Sequence, residues 1–308
     1  MDGIINVYKE KGWTSFDVVA KLRHVLGEKK IGHTGTLDPD ATGVLPVCVG
    51  KATKVCELLT EKEKTYRAVM LLGKKTDTQD ISGKVLQEKK LGKDITPEKI
   101  QLVIQGFVGE YMQTPPMYSA LKVNGKKLYE LAREGKTVER KPRKVIFHEI
   151  IIEEIALPLV VFQVTCSKGT YIRTLCEDIG NQLGCGGCMQ ELERTRSGLF
   201  VLEESKTIDQ IEKLAKQGMI SDILKPIDSI FSDLTAVNLS KDCDKLLHNG
   251  NCIPYYCMKQ AKEEKIVIEA AIRQSQIRMY DNHGIFIGVY ENHRESKNFK
   301  PLKIFYGK

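Results

Sequence analysis

IGHTGTLDPDATGVLPVCVGKATK, residues 31–54, packs four glycines and two prolines around a single LDPD turn. Gly and Pro at this density force sharp turns, so the polar residues between them are held on tight loops. The run Val44 to Val49 that follows is apolar enough to anchor the loop in a core. Asp, His and Thr presented this way suggest chemistry more than packing. By itself, Asp38 still reads first as an Asx-turn former or helix cap.

Several chemistries are excluded from this stretch outward. Gly43 to Lys51 ends in Gly-Lys, but six residues separate Gly43 from Gly50 where a phosphate loop needs four. Ala52 also stands where a magnesium-binding Ser or Thr belongs. The six histidines show no HExxH or paired spacing, and there is no G-x-S-x-G elbow. Asp38 remains as a lone carboxylate. An acid that works alone acts as nucleophile or base and needs an oriented cation to keep it ionised. Arg173, in GTYIRT near the start of a helix, is a candidate, although spacing does not establish the pairing.

The chain has 308 residues, 42% hydrophobic and 28% charged, which suits a soluble globular protein of two domains or one large and one small. We expect a cytoplasmic monomer. The N-terminus carries no secretory h-region, and no apolar run is long enough to cross a bilayer. Nine scattered cysteines fit reduced thiols better than a disulfide framework. Cys185-Gly-Gly-Cys188 reads as small apolar side chains near a helix end rather than as a zinc site. The net charge is +7, and between Lys122 and His148 nine Lys/Arg face three Asp/Glu, a local net of +6. That concentration reads either as a solvated loop or as an arm for a polyanion.

Along the chain, Ile4–Tyr8, Thr65–Leu72, Lys144–Ile152 and Leu159–Cys166 read as strands, the last two as a hairpin or neighbours. A capping box at Thr14 and Asp17 starts a helix to about Leu26, with Phe16, Val19, Ala20 and Leu22 inward. Helices are also expected from Thr96-Pro97, around 128–134, over 170–183 and over 208–217. After Pro226 the pattern changes to short strand candidates: 266–272, 277–280, 285–290 and 302–306. The fold class is therefore α+β.

Five segments in order then resemble the TruB-type tRNA pseudouridine synthases: the Asp38 loop; KTYRAVMLLGKKTDTQDISG from Lys64; QTPPMYSALKVNGKKLYELAREG from Gln113; GTYIRTLCEDIG from Gly169; and MQELERTRSGLF from Met189. The resemblance covers about residues 3–228. It implies a pseudouridine-synthase fold with a mixed, mostly antiparallel sheet and flanking helices (1–228), interrupted by an RNA-gripping insertion at about 113–143. A small, mostly-β PUA-like domain (229–308) follows.

The implied activity is isomerisation of uridine 55 in the T loop of tRNA. No redox step occurs and no group is lost, so no cofactor and no metal are needed. By the match, the catalytic residues are Asp38, Tyr66 and Arg173: Asp38 attacks C6 of the base or C1′ of the ribose, Arg173 pairs with it, and Tyr66 stacks on the flipped uracil. His33 occupies the opened RNA loop. Tyr171 and Leu192 line the pocket, and Asp80 matches a polar position near the flipped bases. Lys122, Lys126, Lys127 and Arg133 contact phosphates from an arm that is flexible when free and closes over the T stem-loop. Partners are tRNA, with no membrane and no obligatory protein.

Cys188 and Glu193 stand where many members carry His and Arg, and Glu10 where a Pro is common, so the Lys9 turn is expected to be less rigid. Two other readings remain: a guide-RNA-dependent synthase, which the long arm argues against, and a non-catalytic tRNA-folding chaperone, which the Asp38–Tyr66–Arg173 set argues against.

Overall fold

The structure is a computed structural model that describes residues 1–123, 125–259 and 265–307. Its frame is a ten-stranded sheet. The strands that matter for the site are β1 (Gly3–Lys9), β2 (Ile31–His33), β3 (Thr42–Val49), β4 (Lys64–Leu72), β5 (Gly109–Gln113), β6 (Arg143–Ala156), β7 (Leu159–Cys166) and β8 (Gly187–Ser197). The short strand Leu224–Lys225 begins an order that continues β1-β3-β8-β4-β7-β6-β5, with β2 paired to β3 and Phe200–Val201 to β8. Every pairing is antiparallel except β3 with β8, which is parallel over two residue pairs, Thr42 with Glu193 and Gly43 with Arg194. The expected mixed, mostly antiparallel sheet is present.

The longer helices that flank it are α1 (Ser15–Leu26), α2 (Pro97–Gln105), α3 (Ile172–Gln182) and α4 (Ile208–Lys216). The capping box is formed at α1, where the Thr14 hydroxyl accepts from the Asp17 amide and the Thr14 amide donates to the Asp17 carboxylate. Such a cap stabilises a helix by about 1 kcal/mol. The inner stripe of α1 is Ser15, Val18, Val19 and Leu22; Phe16 and Ala20, expected inward, are exposed. Positions 15, 18, 19 and 22 follow the helical period more closely than a stripe starting at 16. Val18, Val19 and Leu22 share a core cluster with Ile5, Val7, Leu45 and Val47 from the sheet and Ile208 and Ile211 from α4. A second core, with Ile100, Ile104, Leu175, Cys176 and Ile179, joins α2 and α3 to β4, β6 and β7.

The parallel contact at β3 and β8 depends on one glycine. Gly43 has φ +101°, and a Cβ there would lie 2.3 Å from the Arg194 carbonyl oxygen. Gly43→Ala is expected to destabilise the protein by about 3 kcal/mol or more, from backbone strain and overpacking together. A thermal melt checks this; an unchanged midpoint would mean that the two strands are not held so close.

The tail forms a five-stranded sheet ordered Ala236–Asn238, β9 (Gln276–Tyr280), β10 (Phe286–His293), β11 (Asn298–Ile304) and Ile253–Pro254. Helices α5 (Lys241–His248), Tyr255–Lys259 and α6 (Lys265–Arg273) accompany it. The expected strand 266–272 is therefore a helix. Ile268 and Ala271 are buried while Ile266 is 71% exposed, a spacing of three that only a helix satisfies. Cys243 and Cys257 form a disulfide, against the expectation of reduced thiols throughout; the elements carrying them pack with Cα atoms 6.1 Å apart, within bonding reach. Phe286 and Phe305 of this tail pack into a cluster with Ile4, Val44, Phe200 and Ile230. Among the described residues, no helix is long and apolar enough to cross a membrane.

Candidate active site

The Asp38 loop is fixed from several directions. Ser15, buried at the start of α1, accepts the Leu37 amide at 2.9 Å, and Leu37 itself is buried in the core beside Tyr66 and Leu192. Beyond Asp38, the Pro39 carbonyl accepts from the Gly12 amide at 2.9 Å and from Lys9 Nζ at 3.0 Å. Lys9 is fully buried and also donates to the Trp13 and Glu10 carbonyls. Burial lowers its pKa to about 8. The turn expected to be loosened by Glu10 is thus held by three carbonyl contacts to one ammonium. Arg194 from β8 braces both sides of the loop, donating to the Gly35 carbonyl upstream at 3.1 Å and to the Val44 carbonyl downstream at 2.6 Å. Sequence reasoning missed Lys9 and Arg194 as loop supports: their carbonyl partners carry no sequence signal.

Asp38 meets Arg173 in a two-point ion pair, Nε to Oδ2 at 2.9 Å and Nη2 to Oδ1 at 3.4 Å. A guanidinium fork matches a carboxylate in this way, adding orientation to charge. Arg173 also donates to the Thr78 and Tyr118 carbonyls, and its Nη1 lies 3.6 Å from Asp80 Oδ2. Its side chain is 6% accessible, whereas that of Asp38 is 41% accessible, so the carboxylate faces the opening and the cation lies behind it. Protein crowded around Asp38 raises its pKa by desolvation; Arg173 opposes this and Asp80 adds to it. Asp80 is in turn fixed by Thr78 and Ser82, whose hydroxyls both donate to Oδ1.

Tyr66 lies on β4 opposite Arg194 in register. Burial raises its pKa, so the phenol stays neutral at physiological pH, a flat ring rather than a ready base. Tyr171 is the residue before α3, and burial raises its pKa too. Leu192, 9% exposed on β8, shares the apolar cluster of Tyr66, Leu37 and Ile172. Tyr66 and Tyr171 both lie near enough to Asp38 for its charge to act on their phenols. His33 lies on β2; its Nδ1 accepts from the Gly35 amide at 3.3 Å, and burial with the nearby Arg194 lowers its pKa.

The arm is placed differently. Lys122–Val123 and Lys126–Lys127 form a small hairpin, with Asn124 outside the described residues, and a short helix Leu128–Arg133 follows. The contacts of Lys126, Lys127 and Arg133 lie within the arm: Glu134 for Lys126, and the Tyr129 ring, 5.4 Å away, for Lys127 and Arg133. Lys122 is exposed. Of the departures, Glu193 accepts from Tyr8 at 3.1 Å, and Cys188 is buried, with its thiol pushed up to about 11. A cavity of about 690 Å³ at the far end of β4, lined by Leu72, Lys74, Lys89 and Pro158 among others, touches none of these residues. Among the described residues no group of His, Cys, Asp and Glu could hold a metal ion.

A solved structure titled as an H/ACA ribonucleoprotein bound to a substrate RNA containing 2′-deoxyuridine contains a chain similar to this one. The TM-score is 0.69 and the identity 25%, over 99% of this chain and 85% of that one. The architecture is accordingly that of the pseudouridine synthases, with a small PUA-like domain in the tail. The family model described as TruB family pseudouridylate synthase (N terminal domain) matches residues 23–172, and the tRNA pseudouridylate synthase B C-terminal domain matches 173–232. The chain is 49% identical to tRNA pseudouridine synthase B of Lachnoclostridium phytofermentans, over 99% of this chain and all of that one. It is 44% identical to the protein of the same name from Clostridium novyi, over 99% of each. This chain belongs to the TruB family of pseudouridylate synthases, enzymes that isomerise uridine to pseudouridine.

Proposed function

We propose that this protein isomerises uridine 55 in the T loop of tRNA and that Asp38 is the nucleophile. The observation that carries the reading is the two-point Asp38–Arg173 pair, whose carboxylate faces the opening while its cation is buried. Asp38 attacks C6 of the flipped base or C1′ of its ribose. The N1–C1′ bond breaks, the base turns, C5 bonds to C1′, the bond to Asp38 breaks to free the carboxylate, C5 gives up its proton and N1 gains one. Tyr66 supports the uracil face, Asp80, Tyr171 and Leu192 line the pocket, and His33 fills space the base has left. Because a flipped base must leave its stack, RNA already opened in a loop is the cheaper substrate.

The test is to incubate the protein with an unmodified tRNA transcript and map pseudouridine. Product at the T-loop uridine supports the reading, and its absence overturns it. The similarity to a chain of an H/ACA particle motivates a second arm with added guide RNA. Activity that appears only with the guide would replace the stand-alone assignment.

The basic arm supplies phosphate contacts in this reading. Affinity for tRNA is expected to fall steeply with salt, with a log–log slope near −0.7 to −0.9 per phosphate neutralised. Changing Lys122, Lys126, Lys127 and Arg133 together to Ala should weaken binding and flatten that slope, as measured by filter binding across a salt series. A slope that does not change would take the arm out of the phosphate interface.

A further inference from the structure

The two ends of the arm meet at one residue pair. Gln113 closes β5, Arg143 opens β6, and they are register partners. Gln113 is 1% exposed, and both polar atoms of its side chain engage one residue: Nε2 donates to the Tyr171 carbonyl at 3.0 Å, and the Tyr171 amide donates to Oε1 at 2.8 Å. Tyr171 is the N-cap of α3, and its own side chain makes no capping bond. The residue that opens the helix is therefore gripped at both its amide and its carbonyl by a side chain 58 positions away. Two residues into that helix stands Arg173. Five residues beyond Gln113, the Tyr118 carbonyl accepts from Arg173 Nη2 at 2.9 Å. Arg140, on the returning leg, donates to the Pro115 carbonyl at 3.1 Å, which ties the two legs together.

We propose that Gln113 is a positioning residue for the isomerisation, coupling the root of the arm to the start of α3 and thereby setting Arg173 against Asp38. This rests on the reading of Asp38 and Arg173 given above. Gln113 has no need to touch the RNA. With Arg173 Nε 2.9 Å from Asp38 Oδ2, a displacement of α3 by about 1 Å breaks the two-point pair, and misplacement of that size costs catalysis steeply. The outgoing leg of the arm is bonded to the same guanidinium, so RNA that closes the arm loads the catalytic pair directly.

Steady-state kinetics on a tRNA transcript test this with Gln113→Ala, Gln113→Glu and, in parallel, Asp38→Ala. Gln113→Ala is expected to lower kcat on the order of 10- to 100-fold while KM stays within about twofold. Gln113→Glu keeps the acceptor for the Tyr171 amide and loses the donor to its carbonyl. Its rate relative to wild type should rise as pH falls and the carboxyl regains a proton, a rescue that a purely structural role would not produce. A loss confined to KM, or an unchanged kcat, overturns the proposal. Should Gln113→Ala fail to fold, a pH-independent ratio for Gln113→Glu overturns it instead. Activity retained by Asp38→Ala would overturn the site reading, and the positioning role with it; inactive Asp38→Ala with unaffected Gln113 variants removes the positioning role alone.

Discussion

Replacing Asp38 with Ala is expected to lower single-turnover pseudouridine formation by at least ~10⁴-fold, the scale seen when a covalent nucleophile is removed. Asp38→Asn should lose nearly as much, since it keeps the shape but loses the negative charge and turns one of the two acceptor oxygens into a donor against Arg173. RNA affinity should change little in either variant, because Asp38 contributes a single, partly accessible side chain. Filter binding and a rate measurement on the same preparation separate the two. A variant within tenfold of wild type would remove Asp38 from the chemistry.

The second large effect concerns Arg173. Arg173→Lys keeps a positive charge but not the fork that reaches Asp38 twice and the Thr78 and Tyr118 carbonyls once each. A loss in kcat on the order of 10²- to 10³-fold is expected, the size associated with removing one preorganised electrostatic contact. Arg173→Gln adds a pH signature. In the proposed reaction Asp38 must be ionised, and burial already raises its pKa while Arg173 holds it down. The wild-type acid limb of kcat/KM should therefore lie above the ordinary carboxylate range. In Arg173→Gln it should move to still higher pH, because the opposing cation is gone and Asp80 remains. An acid limb at the same pH in both proteins would show that the pair does not govern ionisation.

The local elements were largely legible in the sequence. The capping box at Thr14, the Pro97 start of α2, and the stripe Ile172, Leu175, Cys176, Ile179 and Leu183 of α3 are all formed. Local rules govern these because the interacting groups are three or four residues apart. The pairing of Asp38 with Arg173 spans 135 positions, and spacing has no access to it. β8 went unassigned because Glu191, Glu193, Arg194 and Arg196 hide the alternation that marks a strand; Arg194 is buried nonetheless, since Gly35 and Val44 present carbonyls to it. The misread segment of α6 was rich in Ile, whose branching favours strands, while its burial follows a helical period. Gln113 could have drawn notice as an amide at the end of a strand before paired prolines, although nothing local announces Tyr171 as its partner.

The position of β8 has a consequence for how the enzyme is made. β3, which follows the Asp38 loop, and β4, which carries Tyr66, are neighbours in sequence but do not pair; β8 lies between them. On a ribosome the first 186 residues can supply only two separate half-sheets, one with Asp38 and one with Tyr66 and Arg173. Their union waits for residues 187–197, a late closure of high contact order. Before that strand inserts, Arg194 cannot yet hold the Gly35 and Val44 carbonyls. The nascent chain is therefore without its catalytic geometry until roughly two thirds of it has been translated, and a truncation before β8 would yield two incomplete sheets with open edges.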